Sequence, residues 1–393
     1  MPGSVIVSGA RTPIGKLAGA LASLSATDLG AVAIAAALER AGLQPGQVDY
    51  VYMGQVLQAG QGQVTARQAA VKAGIPLSTP AITVNKVCLS GLNAIYLADQ
   101  MIAAGEADIV VAGGMESMTR APYLLQDARS GYRYGNGVLV DSMLLDALSC
   151  ALDGISMGLA TDQYNEGVSD RSRQDAFAAA SHEKAANAVK NGNLAEEIAA
   201  VTVPQRRGDP IVVDSDEGIR PGTTLESLGR LKPAFSDNGS ITAGNASQIS
   251  DGAAAVIVAS RQAAQTLGLT PLGEFVSYGQ VAGPTPSLLQ QPANAINAAL
   301  ANAKLTLDDL DVIEINEAFA AVALASVDAL GVPEDRINVN GGAIAFGHPV
   351  GMSGTRLALT VLHELRRRGG GYAVASLCGG GGQGDALVVR SLS

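Results

Sequence analysis

The chain has 393 residues, 47% of them hydrophobic, with 47 glycines, no tryptophan and a formal net charge of −10. Such a balance describes a compact α/β protein long enough for two or three domains, and excludes a disordered or fibrous chain. The acidic charge, with no basic tract or basic–aromatic pattern, argues against nucleic acid and anionic membranes as partners, while local cations and helix ends still permit an anionic small molecule.

In chain order, "SVIVSG" (4–9) reads as a strand. "TDLGAVAIAAALERAGL" (27–43) is a helix, with Thr27 as its N-cap and Gly42 near its end. "VDYVYMGQVL" (48–57) is a strand, "QVTARQAAVKAG" (63–74) a helix and "AITVN" (81–85) a strand. A helix then runs from Cys88 to Gly105, followed by the strand "ADIVVAGG" (107–114). This βαβ series predicts a mainly parallel, buried sheet. From Met115 to about Asn245 the pattern changes to turn-rich stretches around one long polar-faced helix (172–192), which reads as an insertion. Regularity returns with the strand "GAAAVIVAS" (252–260). No run reaches the length of a membrane span, and "MPGSVIVSGARTPIG" has no leader pattern, so the expected location is cytoplasmic.

The second half repeats the first in order. "AGLQPGQVDYVYMG" (41–54) aligns with "AKLTLDDLDVIEIN" (303–316), and "ITVN" (82–85) with "INVN" (337–340). "SG" opens a helix at 90–91 and again at 353–354, and "ADIVVAGG" matches "YAVASLCGG". Two related α/β halves with a loop region inserted in the first account for this. Ligands in such folds sit beyond the carboxyl ends of strands. Those ends carry Cys88 and "GGMES" in the first half, and "NEAF", "GHPVGMSG" and "CGGGGQG" in the second.

Three cysteines without a CxxC or HxxxH pair indicate neither a disulfide framework nor a zinc site, and no metal is expected. "GAIAFG" lacks the context of a dinucleotide fingerprint. Most free cysteines are buried apolar side chains. Cys88, however, stands where a strand hands over to a helix N-terminus, a placement that lowers a thiol pKa and favours a thiolate nucleophile. His348 lies in an irregular glycine-rich loop at the equivalent end of the other half, where an imidazole can take the thiol proton or polarise an oxygen. His182 and His363 fall in helical stretches, are read as solvated, and are given no role. Cys378 ends a strand ahead of four glycines, which allow backbone N–H groups close to a reacting oxygen. Cys150 reads as helical, apolar and structural. Asn316 replaces Gly54 of the repeat and can hold a water.

Together these segments resemble the thiolase family. "NKVCLSGLNAI", "NEAFA", "GGAIAFGHPVGMSG" and "CGGGGQGDA" occur in the family's order, joined by "RTPIGK", "GGMESMTRAPY", "IRPGTTLESLGRLKPAF" and "TAGNASQISDGAAAV". The resemblance spans essentially the whole chain. It implies a five-layered αβαβα fold of two similar mixed α/β halves, 1–118 with 246–270 and 271–393, and a loop domain, 119–245. It also implies acyl transfer between coenzyme A thioesters, with coenzyme A as substrate and product and no permanently bound cofactor. By the same resemblance Cys88 is the acetylated nucleophile, Cys378 the acid/base at the α-carbon, and His348 the activator of Cys88. Asn316 positions a water, and the N–H groups of Cys88 and Gly380 form an oxyanion hole. Arg220, Ser227, Ala243, Ser247, Met157 and Phe319 match coenzyme A-binding positions. Departures are Ser156 for a common His, Leu288 for Met, Met352 for Ala, and Leu89 for a smaller residue. The first affects a coenzyme A contact and the others the acyl pocket. "NKVC" and "GGMESMTRAPY" are more similar to short-chain acetyl-CoA acetyltransferases than to degradative 3-ketoacyl-CoA thiolases of broad chain length, the nearest alternative. A decarboxylating ketoacyl synthase and an inactive scaffold fit less well. Assembly as a homotetramer, a dimer of dimers, follows from the resemblance alone, as does a place in lipid metabolism.

Overall fold

The computed structural model describes residues 3–391. Its main sheet takes strands β1 (Ser4–Arg11), β2 (Tyr50–Gly54), β3 (Ala81–Val84), β4 (Ile109–Ser117) and β5 (Ser250–Ser260) from the first half. The second half gives β6 (Gly273–Ala282), β7 (Leu310–Ile315), β8 (Gly371–Gly379) and β9 (Gln383–Ser391). Strand order is β7-β8-β9-β6-β1-β5-β4-β2-β3, with the short strand Gly15–Lys16 paired to β5. The halves join where β1 meets β6 over two residue pairs, Val5↔Glu274 and Ile6↔Gly273.

The longer helices are α1 (Ala26–Ala41), α2 (Thr65–Lys72), α3 (Ser90–Ala103), α4 (Arg171–Lys190), α5 (Gln291–Ala303), α6 (Ala320–Leu330) and α7 (Ser353–Arg368). Five layers follow from which strand faces they cover. Successive strand residues point to opposite faces, so Val110 and Val111, or Ile257 and Val258, serve different cores. Val111 and Ile257 pack under Leu29, Ile34 and Leu38 of α1 on one outer side. Val110 and Val258 meet α3 and α7 in the middle layer, where Leu92, Ile95, Leu357 and Leu362 also touch Ala375 and Leu387 of the second half. On the far side, α5 and α6 cover Ile313, Val374 and Val388 through Ile296, Leu300 and Leu324.

The middle helices cross at backbone contact. A Cβ on Gly91 of α3 would lie 2.7 Å from Thr355 Oγ1, and one on Gly354 of α7 would collide with the main-chain nitrogen of Leu92. The "SG" pairs of the repeat therefore serve a purpose. Each starts a central helix, and its glycine lets the two helix N-termini, with the loops before them, come together.

Three expectations change. The sheet is mixed: β2–β3, β2–β4 and β7–β8 run parallel, but β4–β5, β1–β5, β6–β9 and β8–β9 run antiparallel. Alternation of strand and helix fixes direction only where a helix makes the crossover. Here β5 returns after the long insertion, and β8 turns straight into β9. "INVN" contributes a single bridge, Ile313↔Ile337, rather than a strand like "AITV". The N-cap of α1 is Ser25, which forms a capping box with Asp28, and Thr27 is buried within the first turn.

Residues between β4 and β5 form helix α4, short helices and three two-stranded pairs. They are clamped to the body by Arg11 of "RTPIGK", wholly buried, whose guanidinium binds Asp216 in bidentate fashion (2.7 and 2.9 Å) and Glu197 (2.8 Å).

Candidate active site

The loops ahead of α3 and α7 and the turn after β8 close around one cavity of about 60 Å³. Cys88, His348, Cys378 and Gly380 line it, with Met157, Ser247, Leu288, Ala318 and Phe319 among its walls. Residues 290 positions apart along the chain thus share one chamber because two buried helices cross at glycines.

Cys88 sits on a tight turn. Val87 before it adopts φ 51°, a left-handed conformation that costs a β-branched residue about 1–3 kcal/mol. The turn is held from both sides. Ser90 Oγ donates to Val87 O (2.6 Å) and accepts from Lys86 N–H (2.8 Å). Lys86 Nζ reaches Asp385 Oδ1 on β9 (2.8 Å), and Tyr278 O–H donates to the same carboxylate (2.9 Å). Asp385 pairs across the hairpin with Leu377, the neighbour of Cys378. This ion pair ties the Cys88 turn to the β8–β9 hairpin that carries Cys378.

Cys88 keeps some surface, whereas Cys378 has none. Burial nonetheless pushes the Cys88 thiol up to about 12, against the pull of its own main-chain N–H, and buried Glu116 adds to the rise. Burial raises Cys378 still further, with Cys88 contributing. The expectation of a resting thiolate is therefore overturned. Desolvation outweighs the helix end, and both sulfurs rest as thiols.

His348 is fixed by its neighbours. Ser353 Oγ donates to Pro349 O (3.0 Å), so it accepts Nδ1–H of His348 (2.6 Å). That leaves Nε2 bare, with Asn316 Nδ2 at 3.4 Å. Burial first, and the Arg356 charge second, hold the imidazole down to about 3, hence neutral. A neutral imidazole with its free nitrogen unprotonated is a proton acceptor. Asn316 does not line the cavity itself; its N–H donates to Ser376 O (2.9 Å). Its Oδ1 is buried without a partner among the described residues, which suits a bound water. The loop of His348 is anchored by Gln248 O, which accepts its N–H (3.0 Å), and by Glu116, which accepts Gly351 N–H (3.0 Å).

The remaining predicted residues divide. Met157, Ser247 and Phe319 line the cavity, and Ser247 N–H donates to Ala318 O (3.0 Å). Arg220, Ser227 and Ala243 lie exposed, outside it. Ser227 caps its own short helix through Thr224. Arg220 N–H donates to His182 Nδ1 (3.2 Å). His182 is accordingly buried, not solvated, as is His363, whose Nδ1 lies 3.3 Å from Glu196. Each partner comes from another part of the chain, which no helical pattern displays. Cys150 is buried as expected but belongs to a short strand, Ser149–Cys150. Leu288 lines the cavity, while Leu89 and Met352 point into the cores on either side instead. Ser156 is the N-cap of the helix Met157–Tyr164, accepting Leu159 N–H (3.2 Å). Ser353, Lys86, Asp385 and Gln248 each lie in or beside a motif of the sequence, yet no local pattern marks them as part of the site. Their partners could not be read without the fold. Among the described residues no group of His, Cys, Asp and Glu could hold a metal ion, and no helix is long and apolar enough to cross a membrane.

Comparison with known proteins gives two family matches. A model described as "Thiolase, N-terminal domain" covers residues 4–262, and one described as "Thiolase, C-terminal domain" covers 269–391. A probable acetyl-CoA acetyltransferase of Mycolicibacterium smegmatis is 59% identical, over 98% of this chain and 100% of the relative. Another, from Mycobacterium tuberculosis, is 58% identical over 100% of both. An acetyl-CoA acetyltransferase of Cupriavidus necator is 51% identical over 98% of both.

Proposed function

The chain belongs to the thiolase family and is an acyltransferase, and from that premise we propose how it works as an acetyl-CoA C-acetyltransferase. Two acetyl-CoA give acetoacetyl-CoA and coenzyme A, reversibly, by way of an acetyl group on Cys88. Cys88 Sγ bonds the thioester carbonyl carbon as its proton passes to His348 Nε2, and that proton leaves with the coenzyme A sulfur. Cys378 then passes its proton to the freed His348 and, as a thiolate, takes an α-proton from a second acetyl-CoA. The resulting enolate carbon bonds the acetyl carbon as its bond to Cys88 breaks, and His348 returns the proton to the Cys88 sulfur. Negative charge on each reacting oxygen meets prepared donors: His348 with a water on Asn316, and the N–H groups of Cys88 and Gly380.

The convergence of two thiols, one neutral imidazole and Gly380 on a single small cavity carries this reading. Its volume, far below the roughly 300 Å³ of pockets that enclose drug-sized ligands, suits a two-carbon acyl group walled by Met157, Leu288 and Phe319. We assign coenzyme A binding to residues 119–245, with Arg220 offering its planar cation to the nucleotide and Ser227 and Ala243 lining the approach, joined by Ser247 just beyond that region. Exposed Leu125, Tyr134, Val138 and Leu139 support a tetramer contact in the same region. Activity in the cytoplasm and in lipid metabolism accords with this substrate.

The deciding experiment is steady-state thiolysis of acetoacetyl-CoA and of longer 3-ketoacyl-CoA substrates. Acetoacetyl-CoA is expected to show the highest kcat/KM. Equal or better values for long chains would make the enzyme a broad-chain degradative thiolase.

A further inference from the structure

One turn of α4 touches both the catalytic loops and the segment assigned to coenzyme A. Ser181 Oγ donates to Glu317 Oε2 (2.6 Å), and the same oxygen accepts Ile344 N–H (3.0 Å), just ahead of the His348 loop. The next residue, His182, is 1% exposed and meets Arg220. Its Nδ1 accepts Arg220 N–H (3.2 Å), while Thr223 Oγ1 donates to Arg220 O (2.8 Å), so both main-chain polar groups of Arg220 are engaged. Two residues back, Gly218 O accepts from Gln248 Nε2 (3.0 Å), and a Cβ on Gly218 would lie 2.6 Å from Ala345 O. The "IRPG" turn is thus seated firmly on the body beside the His348 loop.

These contacts decide which ring nitrogen carries hydrogen. Burial first, and the Arg220 charge second, hold His182 down to about 4, so the ring is neutral. With Nδ1 accepting, its one proton sits on Nε2. Arg220 Nη2 lies 3.3 Å from that nitrogen, donor against donor, so no hydrogen bond retains the guanidinium there. His182 therefore pins the main chain of Arg220 and leaves the cation, on an exposed residue, unclaimed by the ring.

We propose that His182 is a positioning residue for coenzyme A: it fixes the main chain of Arg220, so that the guanidinium meets the nucleotide without a loop having to be ordered first. The inference rests on Arg220 contacting that nucleotide, the reading given above. His182 does not line the catalytic cavity. It acts on binding alone, and the acetylation of Cys88 at saturating substrate does not depend on it.

The test is acetylation of Cys88 in the full-length enzyme by two thioesters, acetyl-CoA and S-acetylpantetheine, which lacks the nucleotide. His182→Leu fills the space without offering an acceptor. For acetyl-CoA its half-saturating concentration is expected to rise about three- to ten-fold, the worth of one hydrogen bond, with the limiting rate within about two-fold. For S-acetylpantetheine both are expected to keep their wild-type values. His182→Asn, whose Oδ1 takes the place of Nδ1 as acceptor, is expected to restore the acetyl-CoA value. A purely structural histidine predicts the same loss with both thioesters, and that result overturns the proposal. A wild-type acetyl-CoA value in His182→Leu overturns it as well, as does an asparagine variant no better than the leucine one. If the leucine variant fails to fold, His182→Gln, whose amide falls at Nε2 rather than Nδ1, decides: an unchanged acetyl-CoA value overturns the proposal. A further rise on adding His182→Leu to Arg220→Ala overturns it too, since His182 then acts elsewhere. An Arg220→Ala variant with an unchanged acetyl-CoA value instead overturns the reading of Arg220 beneath the proposal, a failure distinguishable because it needs no change at His182.

Discussion

Cys88 and Cys378 face one cavity from opposite halves, and the protein holds them in unlike ways. Cys88 stands on a strained turn between β3 and α3, with some surface open. Cys378 is locked in the β8–β9 ladder opposite Gly384 and has no exposed surface. Burial raises both thiols, so neither is an activated thiolate at rest. The difference lies in geometry. A sulfur that carries an acyl group needs an open face and a nearby base, whereas one that shuttles a proton needs only reach. Under the proposed chemistry, identical side chains thus take separate roles from their backbones.

The strongest way to break that comparison is to remove each sulfur in turn. Cys88→Ala is expected to lower turnover at least about 10³-fold and to leave no acetyl adduct. Cys378→Ala is expected to lose condensation to a similar degree yet still acquire one acetyl group on Cys88. Intact-protein mass after incubation with acetyl-CoA reads the outcome directly. An adduct on the Cys88→Ala protein but none on the Cys378→Ala protein would reverse the two roles.

How much of this contrast could be read from the sequence varies along the chain. The ordered repeat, the helix starts at Ser90 and Ser353, and the positions of Cys88, His348 and Cys378 at element ends were all legible, because local spacing and turn residues encode them. Protonation was not. A helix N-terminus predicts a low thiol pKa, but the depth of Cys88 depends on strands and loops from both halves. A polar helix predicts a solvated His182, whereas Arg220, 38 residues on, packs against it and donates its N–H to the ring. Lys86 and Asp385 are 299 residues apart, so no local pattern in either motif displays their pairing. Strand direction failed for a similar reason: the connection into β5 carries no periodic signature.

A second test sharpens the comparison by asking what takes the Cys88 proton. His348→Ala is expected to slow acetylation about 10²–10⁴-fold, the range for losing a general base. The pH dependence has a definite sign. With its pKa held near 3 rather than the ordinary 6.5, His348 stays in its proton-accepting form as pH falls through that interval. Acetylation is therefore expected to show no acid limb centred near 6.5. A limb there, abolished in His348→Ala, would mean the imidazole titrates as it does in water and that burial does not govern this site.

The smallest expected effect concerns the wall of the cavity that the cysteines share. Ser156 occupies a position where a coenzyme A contact was anticipated, but its hydroxyl is already used, accepting Leu159 N–H at the start of the helix Met157–Tyr164. Met157, the first residue of that helix, lines the cavity. Ser156→Ala removes a cap, which costs about 1 kcal/mol, and should lower thermal stability by a few degrees at most. Acetyl-CoA KM should change less than about three-fold, because the cap acts on the substrate only by steadying Met157. A KM raised ten-fold with unchanged stability would show instead that the hydroxyl turns to the substrate when coenzyme A binds, and that the cap is only its resting partner.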